Sequence, residues 1–286
     1  ICLMDFSADG KRVITVSCDE SVVRSYAEGQ PPSSVVVIDG WYLDMSFYGI
    51  DGDVRHLSLS ANGRYAIVGG TNGLYLFDFD EPRGSRLVWT YGAGSYVGFW
   101  DVSISRNGDY IIANIRDNST VVTTLFYEQT VLWSLNDTGY YESEGGSNRV
   151  QISDDGDYIL VGNRLFSKDS PTPIRSFDEK VSLSSSILLS SNGENILASG
   201  SDGNLYFFDR DSSSPLWKIM KQNSFGKMAI SSDGKHVAVV TKLGDDYYVY
   251  YYVDSSNLPY LLAGAGILVF IVVQVVISHR KQTTTL

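Results

Sequence analysis

A short phrase, Ser-x-Asp-Gly or Ser-x-Asn-Gly, recurs six times in this chain of 286 residues. Its glycines are Gly10, Gly63, Gly108, Gly156, Gly193 and Gly234, so the spacings are 53, 45, 48, 37 and 41 residues. The side chains four and six residues before each glycine are apolar, and a second apolar run follows it. Alternation with period two indicates a strand with one buried face, and Asp-Gly or Asn-Gly indicates a tight reversal. Each phrase therefore predicts the turn of a β-hairpin.

Each predicted hairpin is followed by a third strand-like segment, and most are followed by a fourth. Clear examples are GLYLFD (73–78) with RLVWTY (86–91), and NLYFFD (204–209) with PLWKI (215–219). Four antiparallel strands in about 45 residues, repeated along a chain, predict an all-β β-propeller with four-stranded antiparallel blades. Accidental similarity within a β-sandwich would not reproduce the phrase six times.

The number of blades does not follow from the repeats alone. Six repeats are visible, but the chain begins on an inner strand at Ile1, and the sixth repeat reaches only its third strand, YYVYYY (247–252). We therefore expect seven blades in the complete protein, with the missing strand supplied from upstream. Six blades closed by a short upstream strand are the alternative.

Two repeats carry a family resemblance in their third and fourth strands. The segments LYLFDFDEPRGSRLVWTY (74–91) and LYFFDRDSSSPLWKI (205–219) resemble the pyrroloquinoline quinone (PQQ)-like propeller repeat, with its Leu-Tyr-x-Phe-Asp strand, turn and Leu-Trp. The hairpin also resembles a WD-repeat blade, although the Gly-His pair and terminal Trp-Asp of that family do not recur. The resemblance covers roughly residues 1–253 and implies a WD-like or PQQ-like propeller. In PQQ-like propellers, residues placed like Trp89, Trp133 and Trp217 dock between neighbouring blades.

The C-terminal segment differs from everything before it. Residues 258–277 carry no charge, and as a helix they would cover roughly the 30 Å of a bilayer core. Tyr260 lies at one end, and His279, Arg280 and Lys281 lie at the other. Because basic residues mark the cytoplasmic side, we predict a transmembrane helix over 258–278, an extracytoplasmic propeller over 1–257 and a cytoplasmic tail over 279–286. A buried core helix and a cleaved sorting tail are the alternatives.

A candidate binding face is indicated by the residue seven positions before each repeated glycine. This position is polar in five of six repeats although the core positions beside it are apolar, and it reads Leu3, His56, Asp101, Arg149, Ser186 and Lys227. Variable polar residues on a regular scaffold are where function is usually placed. The neighbours Arg55, Trp100 and Asn148 would extend the same face. A strand end that simply meets water is the alternative interpretation.

Three further features concern modification and the first repeat. Cys2 and Cys18 fall nearly opposite each other on the predicted first hairpin. They could form a cross-strand disulfide, and two buried thiols are the alternative. Asn118 and Asn136 each begin an Asn-x-Ser/Thr triplet and are candidate glycosylation sites. In the first repeat we expect SVVVID (34–39) to be the fourth strand. The segment that follows it, 40–53, is interpreted as an aromatic loop at the blade edge.

The composition of the chain argues against several classes of function. The formal charge is −11, which argues against nucleic acid as the main partner, because that partner needs a basic surface. Two cysteines and three histidines argue against a multi-cysteine or His-rich metal site, and no nucleotide-binding glycine loop, HExxH or GxSxG occurs. No cofactor is expected.

These features predict a non-enzymatic, membrane-anchored propeller that acts as a protein-interaction scaffold at the cell membrane. It would serve as a subunit or assembly factor of a cell-envelope complex, or as a surface receptor, with other membrane or envelope proteins as partners. The alternatives are a PQQ-type quinoprotein dehydrogenase or propeller hydrolase, and a carbohydrate-binding surface protein that uses the aromatic loop.

Overall fold

The computed structural model describes residues 3–17, 22–28, 37–38, 41–47, 53–92, 97–117, 120–137, 150–177, 187–200, 202–219, 225–243, 246–253 and 275–277. Within these ranges the regular elements are β-strands, apart from a short 3-10 turn at Arg83–Ser85. The strands form six antiparallel sheets. The structure therefore confirms the all-β class and a six-bladed β-propeller fold, and a seventh blade stays a prediction.

The chain divides into two compact units, and the first unit, residues 1–176, holds four blades. Blade 1 consists of β1 (Leu3–Phe6), β2 (Arg12–Ser17), β3 (Val22–Glu28), β4 (Val37–Ile38) and β5 (Trp41–Phe47). Blade 2 consists of β6 (Val54–Leu59), β7 (Tyr65–Gly70), β8 (Leu74–Asp78) and β9 (Leu87–Tyr91). Blade 3 consists of β10 (Val97–Ile104), β11 (Tyr110–Asp117), β12 (Thr120–Tyr127) and β13 (Thr130–Asp137). Blade 4 consists of β14 (Val150–Ile152), β15 (Tyr158–Val161), β16 (Arg164–Ser167) and β17 (Arg175–Ser176).

The second unit, residues 177–286, holds two blades. Blade 5 consists of β18 (Ile187–Leu189), β19 (Asn195–Ser199), β20 (Leu205–Asp209) and β21 (Pro215–Ile219). Blade 6 consists of β22 (Phe225–Ile230), β23 (His236–Leu243), β24 (Asp246–Val253) and β25 (Val275–Ile277).

Blade 1 corrects one prediction about strand order. Strand β5, within the segment interpreted as an aromatic loop, pairs directly with β3 and is the fourth strand. Of the residues expected to form that strand, the described ones, Val37–Ile38, form β4, which pairs with the outer edge of β5. Both segments are rich in the β-branched and aromatic residues that favour strands, so local pattern could not decide which one pairs with β3. The extra strand accounts for the 53-residue spacing.

Blade 6 differs from the prediction at the C-terminal segment. Residues 258–274 and 278–286 lie outside the described residues, and Val275–Ile277 form strand β25 instead of the end of a helix. Three β-branched residues suit a strand, and they pair antiparallel with Tyr247–Val249 of β24 as the fourth strand. Within the described ranges, no helix is long and apolar enough to cross a bilayer. The membrane anchor therefore stays a prediction.

The repeated phrase folds as predicted, and its serine has a defined role. In all six turns the serine Oγ accepts a hydrogen bond, of 2.8–3.0 Å, from the backbone N–H five residues later. In five turns the same hydroxyl donates to the Asp or Asn two residues on, at 2.5–2.7 Å. The six glycines have φ between 71° and 86°, a conformation that side chains with a Cβ rarely adopt. Each phrase is therefore a self-contained, hydrogen-bonded hairpin turn.

The turns also join neighbouring blades. Backbone N–H groups of Ala8, Asn62 and Arg106 donate to carbonyl oxygens in the turn of the next blade, at 2.9–3.2 Å. The tyrosine that opens the second strand lies over the glycine of the next turn, because a Cβ on Gly108 would overlap the ring of Tyr65. A Cβ on Gly156 would overlap Tyr110 in the same way. The glycine is thus required by both the turn and the neighbouring blade.

The core lies between successive blades. Leu57 and Leu59 of β6 share one apolar cluster with Ile14, Val16 and Val23 of blade 1. Blades 2 and 3, and blades 3 and 4, repeat this arrangement. An inner strand therefore packs on the second and third strands of the blade before it.

The tryptophans confirm the predicted docking between blades. Trp89 meets Phe126 edge to face at 5.4 Å, and the Trp133 indole N–H donates to the Lys168 carbonyl oxygen at 2.8 Å. Trp217 stacks on Phe207 of its own blade at 4.9 Å and contacts Tyr252 of blade 6. Each indole therefore extends from a fourth strand to the next blade.

Candidate functional site

Three residues of the predicted binding face lie close together in the first unit. Arg55 and His56 are on β6, and Asp101 is on β10 of the next blade. Arg55 is exposed and forms an ion pair with Asp53 at 3.3 Å. The His56 side chain is about one third exposed, whereas Asp101 is only 6% exposed. The three side chains therefore differ in exposure: Arg55 faces solvent, His56 is partly exposed, and Asp101 is buried between blades.

His56 is held in a fixed orientation by blade 3. Its Nε2 lies 3.1 Å from Asp101 Oδ1, and its Nδ1 lies 3.1 Å from the carbonyl oxygen of Val102. The other Asp101 oxygen, Oδ2, accepts a 2.8 Å hydrogen bond from the backbone N–H of Val150 in blade 4. A buried carboxylate is tolerated when its oxygens have partners. Asp101 therefore links blades 2, 3 and 4 and also orients His56.

A second inter-blade carboxylate, Asp5 on β1, was missed by sequence reasoning. Its Oδ2 accepts a 2.8 Å hydrogen bond from the N–H of Leu59, in the next blade. Burial raises the pKa of Asp5, even though the amides of Leu59 and Phe6 and the nearby His56 act to lower it. Ser103, at the equivalent position of blade 3, accepts from the N–H of Ile152 at 3.3 Å. The sequence pattern could have indicated this contact, because the position five residues before the repeated glycine is polar in four of six repeats.

The other residues of the predicted face are not brought together by the structure. Asn148, Arg149 and Ser186 lie outside the described residues, and Trp100 is in β10 with a side chain that is not described. Lys227 lies in β22 of the second unit and is exposed. Only Arg55, His56 and Asp101 are therefore shown as neighbours, and the wider face stays a prediction.

The modification sites are described only in part. Cys2, Cys18 and Asn118 lie outside the described residues. Asn136 is in β13, where it pairs with Val122, and its side chain is exposed. The disulfide and the glycosylation of both asparagines stay predictions.

A charged groove between blades 1 and 2 was not expected from the sequence. Its volume is about 420 Å³, and it is lined by Ser7, Asp9, Lys11, Arg12, Ala27, Glu28, Asn62, Gly63, Arg64 and Asp80. Three basic and three acidic side chains line the groove, so their formal charges cancel. The Arg64 guanidinium donates to both Asp78 oxygens at 3.0 and 2.8 Å and pairs with Asp80 at 3.1 Å. Arg12 lies over the Phe79 ring at 4.4 Å. The contact of Arg12 with Phe79 joins blade 1 to blade 2, whereas the ion pairs of Arg64 lie within blade 2.

The stability of the Arg64–Asp78 pair should depend on pH. Burial acts to raise the pKa of Asp78, but hydrogen bonds from Arg64 and the Asp80 amide outweigh it and hold the pKa below 3.8. A lowered folded-state pKa adds stability above the unfolded-state value, and that stability is lost as pH falls through the folded-state pKa. Asp78→Asn should therefore be less stable than wild type at pH 7, and the difference should shrink below pH 3.8. Urea unfolding across this range measures it.

The matched control for this prediction is Asp80→Asn. Asp80 contacts the same guanidinium, but its side chain is 67% exposed, so its pairing is screened by water. It should show a smaller difference from wild type at pH 7. A pH-independent loss in Asp78→Asn would contradict the assignment of the effect to the carboxylate charge.

Asp101 should make a large contribution to the stability of the first unit. Asp101→Ala removes the acceptor for the Val150 N–H and the partner of His56 Nε2, so we expect unfolding to become easier by about 2 kcal/mol. Arg55→Ala, which removes an exposed ion pair, should change it by less than about 0.5 kcal/mol. Urea unfolding monitored by circular dichroism compares the two. Equal effects would show that the buried link is not stabilising.

The chemistry available at Arg55, His56 and Asp101 is hydrogen bonding and charge pairing. Within the described ranges, no group of three or more His, Cys, Asp or Glu side chains is arranged to hold a metal ion. The exposed guanidinium of Arg55 suits an oxygen acceptor, such as a carboxylate or a backbone carbonyl, whereas both ring nitrogens of His56 already contact blade 3.

Comparison with known proteins adds no family assignment. The sequence matches no protein-family model, and a search of curated proteins returns no match. The structure establishes the six-bladed propeller fold, and the resemblance to WD-like and PQQ-like repeats rests on the quoted residues alone.

Proposed function

We propose that this protein is a non-enzymatic scaffold that binds other proteins through one end of its propeller blades. The observation that carries the proposal is His56, which blade 3 orients while about one third of its side chain faces solvent beside exposed Arg55. An orienting partner reduces the entropy that a side chain loses on binding. A six-bladed propeller supports the proposal, because a regular scaffold can present variable strand ends to a partner.

The chemistry of this site favours a partner segment with exposed oxygen acceptors. Arg55 offers a planar set of donors, and guanidinium groups recognise carboxylates through paired hydrogen bonds. The chain as a whole has a formal charge of −11, and Arg55 is an exposed cation for which an acidic segment could compete with Asp53. The partner would therefore contribute Asp, Glu or backbone carbonyl groups at this point.

We further propose that the scaffold acts at the cell membrane. The uncharged segment 258–277 and the basic residues after it support an anchor with the propeller outside. The role would be that of a subunit or assembly factor of an envelope complex, or a surface receptor. The carbohydrate-binding alternative loses part of its basis, because the supposed aromatic loop contains strand β5.

The test is co-purification of the full chain from native membranes in mild detergent, with two charge-reversal variants. Arg55→Glu should reduce the recovered partner about tenfold, which corresponds to roughly 1.4 kcal/mol. Lys11→Glu, at an exposed position in the hairpin turn of blade 1, is the matched control and should leave recovery unchanged. Equal recovery with all three proteins would refute the proposed face.

A further inference from the structure

Strand β13 forms the outer edge of blade 3 and differs from the other outer strands of the chain. It pairs with β12 on one side, and within the part of the chain that the structure describes no strand pairs with its other side. With eight residues it is the longest described strand at the outside of a blade. An unpaired edge presents a row of backbone N–H and C=O groups, which is a template for a further strand.

The outer strands of the other blades are shorter, and two of them carry residues that oppose pairing. Strands β4 and β17 have two residues each, β25 has three, and β9 and β21 have five. Strand β17 contains Arg175, and β21 contains Pro215 and Lys218. Short strands, prolines and charged side chains are the means by which sheets avoid pairing at their edges. In contrast, β13 contains no proline and no charged residue before Asp137.

The fourth strand of blade 1 shows that an outer edge of this fold accepts a further strand. Strand β5 has seven residues, and β4 pairs antiparallel with its outer edge. The two long fourth strands therefore differ, because the edge of β5 is paired within the chain and the edge of β13 is open among the described residues.

The side chains along β13 are uncharged as well as exposed. Val131 and Leu132 are 45% and 48% exposed, and Ser134 and Asn136 also face solvent. A bulge at Leu132 interrupts the pairing with β12, so the regular part of the edge is residues 133–137. The chain has a formal charge of −11, so two copies of it repel each other least where the contact is uncharged.

We propose that β13 pairs antiparallel with β13 of a second copy of this chain, so that the two third blades form one continuous sheet across a two-fold axis. A two-fold contact of this kind is self-complementary, since the same strand supplies both sides. Pairing of residues 133–137 with themselves places Leu135 at the axis and Ser134 opposite Asn136. The inference does not depend on the proposed scaffold function, and it adds that the scaffold carries two copies of its binding face.

The test measures the mass of the purified full chain in mild detergent, by light scattering after size-exclusion chromatography, over a range of concentrations. We expect the mass of a dimer that dissociates on dilution. The double variant Ser134→Lys with Asn136→Lys places like charges on both sides of the contact and should raise the Kd of the dimer about tenfold. The matched control, Val88→Lys with Thr90→Lys at exposed positions of β9, should leave the Kd unchanged.

A charge swap separates specific pairing from misfolding. The double variant Ser134→Glu with Asn136→Glu should also dissociate when it is alone. An equal mixture of the lysine and glutamate proteins should form mixed dimers, because opposite charges then face each other across the contact. Both double variants remove the Asn136 triplet, so Asn136→Gln, which removes it without adding charge, should keep the dimer.

The outcomes separate this inference from the scaffold function. A single copy of the wild-type chain at every concentration would overturn the inference and leave the binding face at Arg55 and His56 untouched. A dimer that survives both charged double variants would also overturn it, because another surface would hold the copies together. Charged variants that dissociate alone and do not associate when mixed would overturn the antiparallel pairing of β13.

Discussion

Gly108→Ala is expected to destabilise the first unit by about 3 kcal/mol, the sum of two effects. The glycine has φ of 86°, which disfavours a Cβ, and the added methyl group would overlap the ring of Tyr65. Gly10→Ala isolates the first effect, because φ is 71° there and the space is open. We expect it to lose only about 1 kcal/mol. Urea unfolding followed by circular dichroism gives both values.

Two further variants make this prediction sharp. Gly84→Ala has open space and no positive φ, so its stability should differ from wild type by less than about 0.5 kcal/mol. In a double-mutant cycle, Tyr65→Ala should remove much of the additional loss in Gly108→Ala, because the two sites are in contact. Equal losses in Gly10→Ala and Gly108→Ala would show that the glycine serves the turn alone.

Trp133→Ala is the second change with a large expected effect, a loss of about 4 kcal/mol in the free energy of unfolding. The indole is buried, packs near Phe166 and donates to the Lys168 carbonyl oxygen, so its removal leaves a cavity between blades 3 and 4. Trp133→Phe keeps much of the packing and should lose about 1 kcal/mol through the missing hydrogen bond.

The neighbouring residue supplies the control. Leu132 precedes the tryptophan on the same strand but is 48% exposed, so Leu132→Ala should change stability by less than about 1 kcal/mol. Both variants are compared by urea unfolding. The dependence of the free energy of unfolding on urea concentration is also compared, since a change in this slope would indicate a different unfolded state. A Trp133→Ala loss no larger than that of Leu132→Ala would contradict the inter-blade role of the indole.

Local chemistry made the blades predictable. The serine, the Asp or Asn and the glycine of each turn bond to one another within six residues, so the phrase specifies a hairpin wherever it occurs. The position of Trp133 between blades followed from a resemblance and was confirmed. The order of β4 and β5 could not be predicted, because two strand-forming segments compete for the edge of β3 and only tertiary pairing decides between them.

The sequence predicted the positions of the candidate-site residues but not their contacts, and the reason is physical. Sequence position placed His56 and Asp101 at equivalent points of successive repeats. It could not show that Asp101 is buried and bonds to Val150 of a third blade. Such contacts depend on how closely neighbouring blades pack side by side, and the length of the sequence repeat does not determine that distance.

The most direct test of the scaffold function is the mass of the particle released from native membranes by mild detergent. Native mass spectrometry of that particle reports its chains and their ratio. The proposed function predicts this chain in a fixed ratio with at least one other protein. Recovery of the chain alone, as a single copy under the same conditions, would contradict it.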